Sequence, residues 1–314
     1  LYGYSASWKK EGERRVWQWI GEGGIEEDNP EEIPRQITNR ARNRNHFHNP
    51  LVELWGQAGL DVYIIPPPPL PQIPLHYTGQ SSVLWAQNRN QDPGGKWSWH
   101  DARDYFYKAL IATSKLDRER AFSNTFRSLG QLMHIIHDAS VPAHVRNDIH
   151  IGFHYEKWLE KIREKEPAKF SEFITNPISF DPNILNSPQN SLAPIPIAKI
   201  IDTDKYLYNN PNITVGTAIG IAEYTNANFF SERSIFNSNF PYPAQSSVEE
   251  VNYLIPDPRD NSKEVMRRYY RKKGDGETGY RLATVGFLFR YITQYFPTYM
   301  YLNKPALDGG VYED

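Results

Sequence analysis

The chain has no cysteine in its 314 residues, which excludes disulfide staples and thiolate ligands, so any bound metal must be held by nitrogen and oxygen donors. No apolar run approaches the roughly 18 residues that a membrane-crossing helix needs. A charged stretch followed by an apolar one is also missing at the start, and the opening at Leu1 without Met reads as a processed or trimmed end. Charge of one sign is not in excess: 35 Lys and Arg stand against 37 Asp and Glu, a formal net charge of -2. There is therefore no general basic field to gather nucleic acid. No internal repeat is visible.

What is present points to a mainly α fold. The length suits one large domain, or one domain with an appendage. Apolar periodicity predicts helices over 8–20, 99–114, 117–139, 155–174, 215–231 and 279–295, with Asp117 capping the long central one. Within it Phe126, Leu129, Met133 and Ile136 recur at helical spacing and predict the buried face, leaving His134 and Asp138 on another. The run Pro66 to Pro69 predicts an extended strap or loop. Residues 175–213 read as a long irregular connection or lid, and 236–278 as an irregular or small strand-containing appendage. The expected division is a multi-helix domain over 1–235, the appendage over 236–278, and a C-terminal helix with its tail, 279–314, packing back on the main domain.

Five of the chain's nine histidines, His134, His137, His144, His150 and His154, fall in one stretch that also holds Asp138 and Glu156. A lone His on a helix usually satisfies a hydrogen bond or lies at the surface, but that account does not extend to this density. His134 and Asp138 stand four apart, so on a helix they share one face and can grip one cation. Pro142 ends that helix, and the chain then returns His144, His150, His154 and Glu156 towards the same region. His137 is rotated off the pair and reads as a packing or supporting residue. Upstream lie Glu26, Glu27 and Asp28 before Pro30, and His46-Phe47-His48 before Pro50. Alone, these would be a solvated turn and a strand edge. Together with the downstream cluster they complete a ligand set.

The order of an acidic turn, His-Phe-x-x-Pro, then His-x-x-x-Asp-x-x-x-Pro-x-His, then an Asn and a His/Glu pair, resembles the zinc-dependent phospholipase C and single-strand nuclease superfamily, over about residues 15 to 165. Residues 98–107 and Ala222 to Phe230 are similar to a bacterial branch of it. The resemblance implies a mostly helical domain holding zinc ions in a cleft. It implies one site of Asp28, His46, His134 and Asp138, with Glu27 as a substitute for Asp28. A second would use His144 and Glu156 with either His150 or His154, since the spacing departs from the family's four. The family's third site uses an amino-terminal Trp and a following His. This chain opens Leu1-Tyr2-Gly3-Tyr4 and has no His before His46, so two or three Zn2+ ions are expected. Secretion or a cell-envelope location is implied as well.

Zinc brings the pKa of a bound water towards about 7 and meets charge on phosphoryl oxygens. The implied activity is in-line hydrolysis of a phosphodiester, with a phospholipid headgroup ester as the expected substrate and Asp28 orienting the water or taking its proton. Asn45, Asn147 and Asp148 are candidate partners for the ligating rings. Arg35, Arg40, Arg42 and Arg44 lead up to His46 and could reach a substrate phosphate, although pairing or solvation is the commoner fate. The run Arg267 to Lys273 interleaves cations and aromatics, a pattern for bases or lipid headgroups, yet more often a solvated face. Two other functions compete. A single-strand nuclease would need an aromatic pocket and a basic groove. A non-catalytic binding or assembly protein would keep the fold and a metal or two. The departures at the start and in the His/Glu spacing favour the latter, and the intact central motif opposes it.

Overall fold

The computed structural model describes residues 4–5, 13–28, 42–64, 73–92, 95–149, 163–164, 167–168, 171, 197–203, 220–231, 234–257, 260–273, 281–284, 287–288 and 299–300. Among these residues the protein is mainly α. Its helices are α1 (Val16–Asp28), α2 (Ser82–Trp85), α3 (Trp99–Ile111), α4 (Lys115–Asp138), α5 (Pro142–Val145), α6 (Ile197–Ile201) and α7 (Ile221–Asn228). The short strands β1 (Tyr4–Ser5) and β2 (Glu13–Arg14) pair antiparallel, as do β3 (Asp61–Ile64) and β4 (Leu75–Thr78).

The long helix α4 begins two residues before its expected cap. Ser114 accepts the Asp117 backbone N–H at 3.1 Å and donates to the Asp117 carboxylate at 2.6 Å, so Asp117 is the third helical residue completing the cap. Ser98 and Asp101 close the same kind of box at the start of α3. The α4 helix ends at Asp138, and Pro142 opens α5 in the first-turn position where its missing N–H costs nothing. Its buried face overlaps the apolar stripe in part. Met133 is exposed, Leu129 and Ile136 of the stripe pack against the core from its edge, and Leu132, Ile135 and Ala139 enter it with Val83, Trp85, Ala102, Val145, Ile201 and Ala222. The stripe is incomplete because α4 is packed on two sides, by the core and by α1, and the α1 side is polar.

That polar side depends on glycine. A Cβ on Gly130 would lie 2.0 Å from the Ile20 carbonyl oxygen, and one on Gly23 would lie 2.0 Å from that of Arg127, so α1 and α4 touch backbone to backbone. Arg127 then reaches Glu26 across the contact, both buried, and its guanidinium lies 4.6 Å from the Trp97 ring centroid. The expected helix over 8–20 gives way to one starting at Val16, because α1 takes its buried positions, Trp19, Gly23, Glu26 and Glu27, from the part that meets α4. Gly130→Ala is expected to push the helices apart and lower stability by about 3 kcal/mol, at the upper end of overpacking costs. Chemical denaturation measures the loss, and an unchanged midpoint would refute the close crossing.

The expected appendage contains strands: β5 (Val248–Asp257) and β6 (Asp260–Lys272) form a hairpin, and β7 (Arg281–Thr284) joins its far edge. Val248 and Tyr270 pack with Phe230, fastening the hairpin to the segment after α7. The helix expected over 279–295 is not formed where the chain is described. Residues 281–284 pair with 269–271, and β8 (Phe287–Leu288) pairs with β9 (Tyr299–Met300), because sheet pairing overrides an amphipathic period that could also be buried as strand. The α6 helix falls inside the span read as irregular, and α7 occupies the middle of the predicted 215–231. The proline run and most of 155–174 lie outside the described residues.

Candidate metal centre

Three chain segments converge at one point. The last turn of α1 brings Asp28, α4 brings His134 and Asp138, and a 3-10 turn, Asn43–His46, brings His46. One ligand atom from each of Asp28, His46 and His134 lies within 4.8 Å of the others. Asp138 sits among them, with Oδ2 2.9 Å from His46 Nδ1 and 3.3 Å from His134 Nε2, and Oδ1 3.5 Å from His144 Nδ1. Asp28 completes the ring, its Oδ1 3.5 Å from His46 Nδ1 and its Oδ2 3.6 Å from His134 Nε2.

The turn carrying His46 is held from several sides. Arg42 donates to the Glu27 carboxylate at 2.5 Å and to Gln131 of α4 at 3.1 Å, Phe47 accepts from Ser82 N–H at 2.9 Å, and His48 N–H donates to His144 at 2.9 Å. Glu27 also accepts from the Trp85 indole at 2.8 Å. Burial works against its charge, but Arg42, His46 and Trp85 outweigh this and hold it down at about 2. Glu27 therefore braces the site, and Asp28 is the carboxylate that enters it. Arg42, considered for a substrate phosphate, is wholly buried against Glu27, and Arg44 lies over Tyr77, while Arg35 and Arg40 fall outside the described residues.

Several features fit a cation. His134 Nδ1 lies 2.8 Å from the Gly24 carbonyl, which can only accept, so Nδ1 carries the proton and Nε2 faces Asp28 and Asp138 with its lone pair. Oδ2 of Asp138 and Nε2 of His46 are buried without a hydrogen bond of acceptable geometry. The Asp138 atom lies between two prospective ligands, 2.9 Å from His46 Nδ1 and 3.3 Å from His134 Nε2, whereas His46 Nε2 faces Glu27 Oε1 at 3.5 Å. Charge agrees. Glu26 and Glu27 are neutralised by Arg127 and Arg42, whereas Asp28 and Asp138 are ion-paired only with histidines among the described residues. Two carboxylates and two imidazoles form a donor set that zinc accepts. The cluster opens on one side, since the side chains of Asp28 and His134 are 38% and 20% exposed against 2% for His46.

Without a cation the imidazoles take up protons instead. Burial opposes the charge on His46, but Asp138, Glu27 and Asp28 raise it to about 10, and Asp138 and Asp28 raise His134 to about 9 in the same way. Burial also opposes charge on Asp138, yet His134, His144 and His46 hold its carboxyl well below the usual range.

Of the other expected site residues, His144 is buried on α5, its ring 4.7 Å from that of Phe47. His150, His154 and Glu156 lie outside the described residues. His137 is exposed on the last turn of α4. Asn45 and Asn147 brace backbone, accepting from Gln80 N–H at 2.7 Å and Asp61 N–H at 3.0 Å. An unforeseen buried array lies beside the centre. His48 bonds Ser81 Oγ at 2.8 Å and Asp202 at 2.7 Å, and the Trp55 indole also donates to Asp202 at 3.0 Å. Asp202 is remote in sequence and no local pattern announces it. With Ser81 at 0% and His48 at 1% exposure, this trio ties α6 to the His46 segment and has no access to substrate. No known protein family, curated protein or solved structure matches this chain.

Proposed function

We propose that the chain is a zinc-dependent phosphodiester hydrolase of the phospholipase C type, acting on an ester at a phospholipid headgroup or a related phosphodiester. The observation that carries this reading is the convergence of Asp28, His46, His134 and Asp138 from three segments, with Asp138 Oδ2 buried between two imidazoles and without a hydrogen bond. These four residues would hold one Zn2+. His144, facing the second oxygen of Asp138, would serve an adjacent ion. When bound, zinc lowers the pKa of water and offsets charge on phosphoryl oxygens. The chain's own residues supply the rest. Asp28, on the open side, is placed to orient a water or accept its proton at a carboxylate oxygen. The Gly24 carbonyl keeps His134 in the ligating tautomer, and the Glu27–Arg42–Trp85 network holds the closed side dry.

Elemental mass spectrometry on the full chain, paired with hydrolysis of phospholipid and single-stranded DNA substrates before and after chelation, tests the proposal. Two or more zinc ions per chain with chelator-sensitive phospholipid hydrolysis are expected. Hydrolysis confined to DNA would make the protein a nuclease. Bound metal with no hydrolysis of either would make it a binding or assembly protein built around a structural centre.

A further inference from the structure

An ordinary surface helix turns its apolar stripe to the core, and α3 does the reverse. Its buried positions are Asp101, Ala102 and Ala109, so small residues meet the core. Its large apolar side chains face outward: Phe106 is 48%, Tyr107 62%, Leu110 62% and Ile111 58% exposed. These four form two pairs one helical turn apart and so make a single stripe. Phe106 also meets the Phe122 ring of α4 edge to face, 6.2 Å between centroids, which fixes one margin of the stripe. Half-exposed aromatic and branched side chains of this size present roughly 500 Å2 between them, near the top of the range for the largest patch on a monomer.

The stripe is complementary to itself. Its four residues are symmetric about the point between Lys108 and Ala109, so two copies laid antiparallel set Phe106 against Ile111 and Tyr107 against Leu110, an aromatic against a branched side chain each time. Charge favours the same arrangement. Arg103 lies on the stripe one turn before Tyr107, is exposed, and forms no ion pair among the described residues. In an antiparallel pair it arrives at the C-terminus of the other copy's α3, where the last carbonyls lack helical partners and the helix dipole is negative. In a parallel pair the two Arg103 side chains would face each other. Neighbouring acids do not compete for it, since Asp104 is held by Arg89 and Asp101 closes the α3 cap. Two copies would bury about 1,000 Å2, the lower bound for a specific interface, so the expected association is micromolar.

We propose that α3 is the contact face of a homodimer, with Phe106, Tyr107, Leu110 and Ile111 packed antiparallel against the same four residues of a second copy. The inference stands on the α3 stripe alone and does not require the phosphodiesterase reading.

Sedimentation velocity on the full chain across the micromolar range tests it. The parent should pass from monomer to dimer as concentration rises. Leu110→Asp should weaken the association at least about 100-fold, because the two-fold axis brings the charge in twice, with the melting temperature of the monomer unchanged. Ile111→Asp is a second variant of the same kind should the first fail to fold. Orientation is read by oxidation, since the chain has no cysteine of its own. Tyr107→Cys, close to the axis, should give a disulfide-linked dimer, and Arg103→Cys, separated from its copy by roughly 16 Å along the helices, should not. The proposal is overturned by a parent that stays monomeric, by a dimer that persists in both aspartate variants, or by linkage of Arg103→Cys as readily as Tyr107→Cys. A monomeric parent that floats with phosphatidylcholine vesicles, and loses this in Leu110→Asp, would give the stripe to a lipid surface instead.

Discussion

Asp138→Ala is expected to empty the metal centre, weakening zinc binding by at least about 100-fold, beyond the 10–100-fold effect typical of residues that merely support a ligand. The carboxylate is in reach of three imidazoles, at 2.9 Å from His46, 3.3 Å from His134 and 3.5 Å from His144, and no described neighbour can take its place. Its loss also removes the strongest of the anions that favour protonation of the His46 and His134 rings, 5.0 Å apart at their centroids, so the stripped variant should hold them closer to neutral. Melting curves with and without zinc separate the two effects. Saturating zinc should raise the parent's stability by about 4 kcal/mol at a thousandfold excess over Kd, and should leave the variant unmoved. An undiminished zinc content in Asp138→Ala would remove the centre from this part of the molecule. Asp138→Asn, equal in volume, should behave as Asp138→Ala does, since charge rather than shape is what the imidazoles meet.

The mainly α character was legible from apolar periodicity over α3, α4 and α7. The residues that start them, Ser98, Ser114 and Gly220 ahead of an acidic residue at the third helical position, went unread, and Asp117 was read as a cap. The packing of these helices was less legible. Of the Phe126, Leu129, Met133 and Ile136 stripe, Leu129 and Ile136 do pack against the core, but Met133 is exposed, and Gly23 and Gly130 allow α1 to lie against α4 so closely that buried polar residues, Arg127, Gln131 and Asp138, occupy the second contact. Periodicity counts apolar residues and cannot see a face whose burial is supplied by ion pairs. The strands over 281–284 and 287–288 were missed for a related reason: pairing with β6 or β9 is a non-local event that local amphipathicity does not encode.

The site was legible where its residues share a turn and obscure where they do not. His134 and Asp138 follow from i,i+4 spacing, and Asp28 and His46 were reached through the resemblance and do converge with them. What no spacing revealed is how neighbours divide the work. Glu27 and Asp28 look interchangeable in sequence, yet the buried Arg42 and Trp85 claim Glu27 and leave Asp28 open to solvent. His46 and His48 alternate in the same short run, and one joins the ligand cluster while the other binds Asp202. Only a contact 154 positions away distinguishes them.

Zinc uptake by the stripped protein is expected to release protons and to strengthen steeply with pH. His46 and His134, raised to about 10 and about 9, are charged at neutral pH when no cation is present, and each must lose its proton to become a ligand. Asp138 is already ionised and contributes none. Loading should therefore displace about two protons per ion, and the apparent affinity should rise about 100-fold per pH unit below pH 9. Stability of the stripped protein runs the other way. Both histidine values lie above the unfolded value near 6.5, so their contribution is complete below that pH and fades as pH climbs through about 9 and about 10. Glu27, held at about 2, and Asp138 contribute above roughly pH 4.5 and lose that contribution as acid protonates them. The metal-free fold should thus be firmest between roughly pH 4.5 and 6.5 and soften towards pH 9, while zinc restores most in the alkaline part of that range. Calorimetry at pH 7 in buffers of different ionisation enthalpy reads the proton count directly. A count near zero would mean that these rings are neutral before zinc arrives or do not bind it, and thermal melts with chelator that strengthen from pH 6 to pH 9 would reject the charged cluster itself.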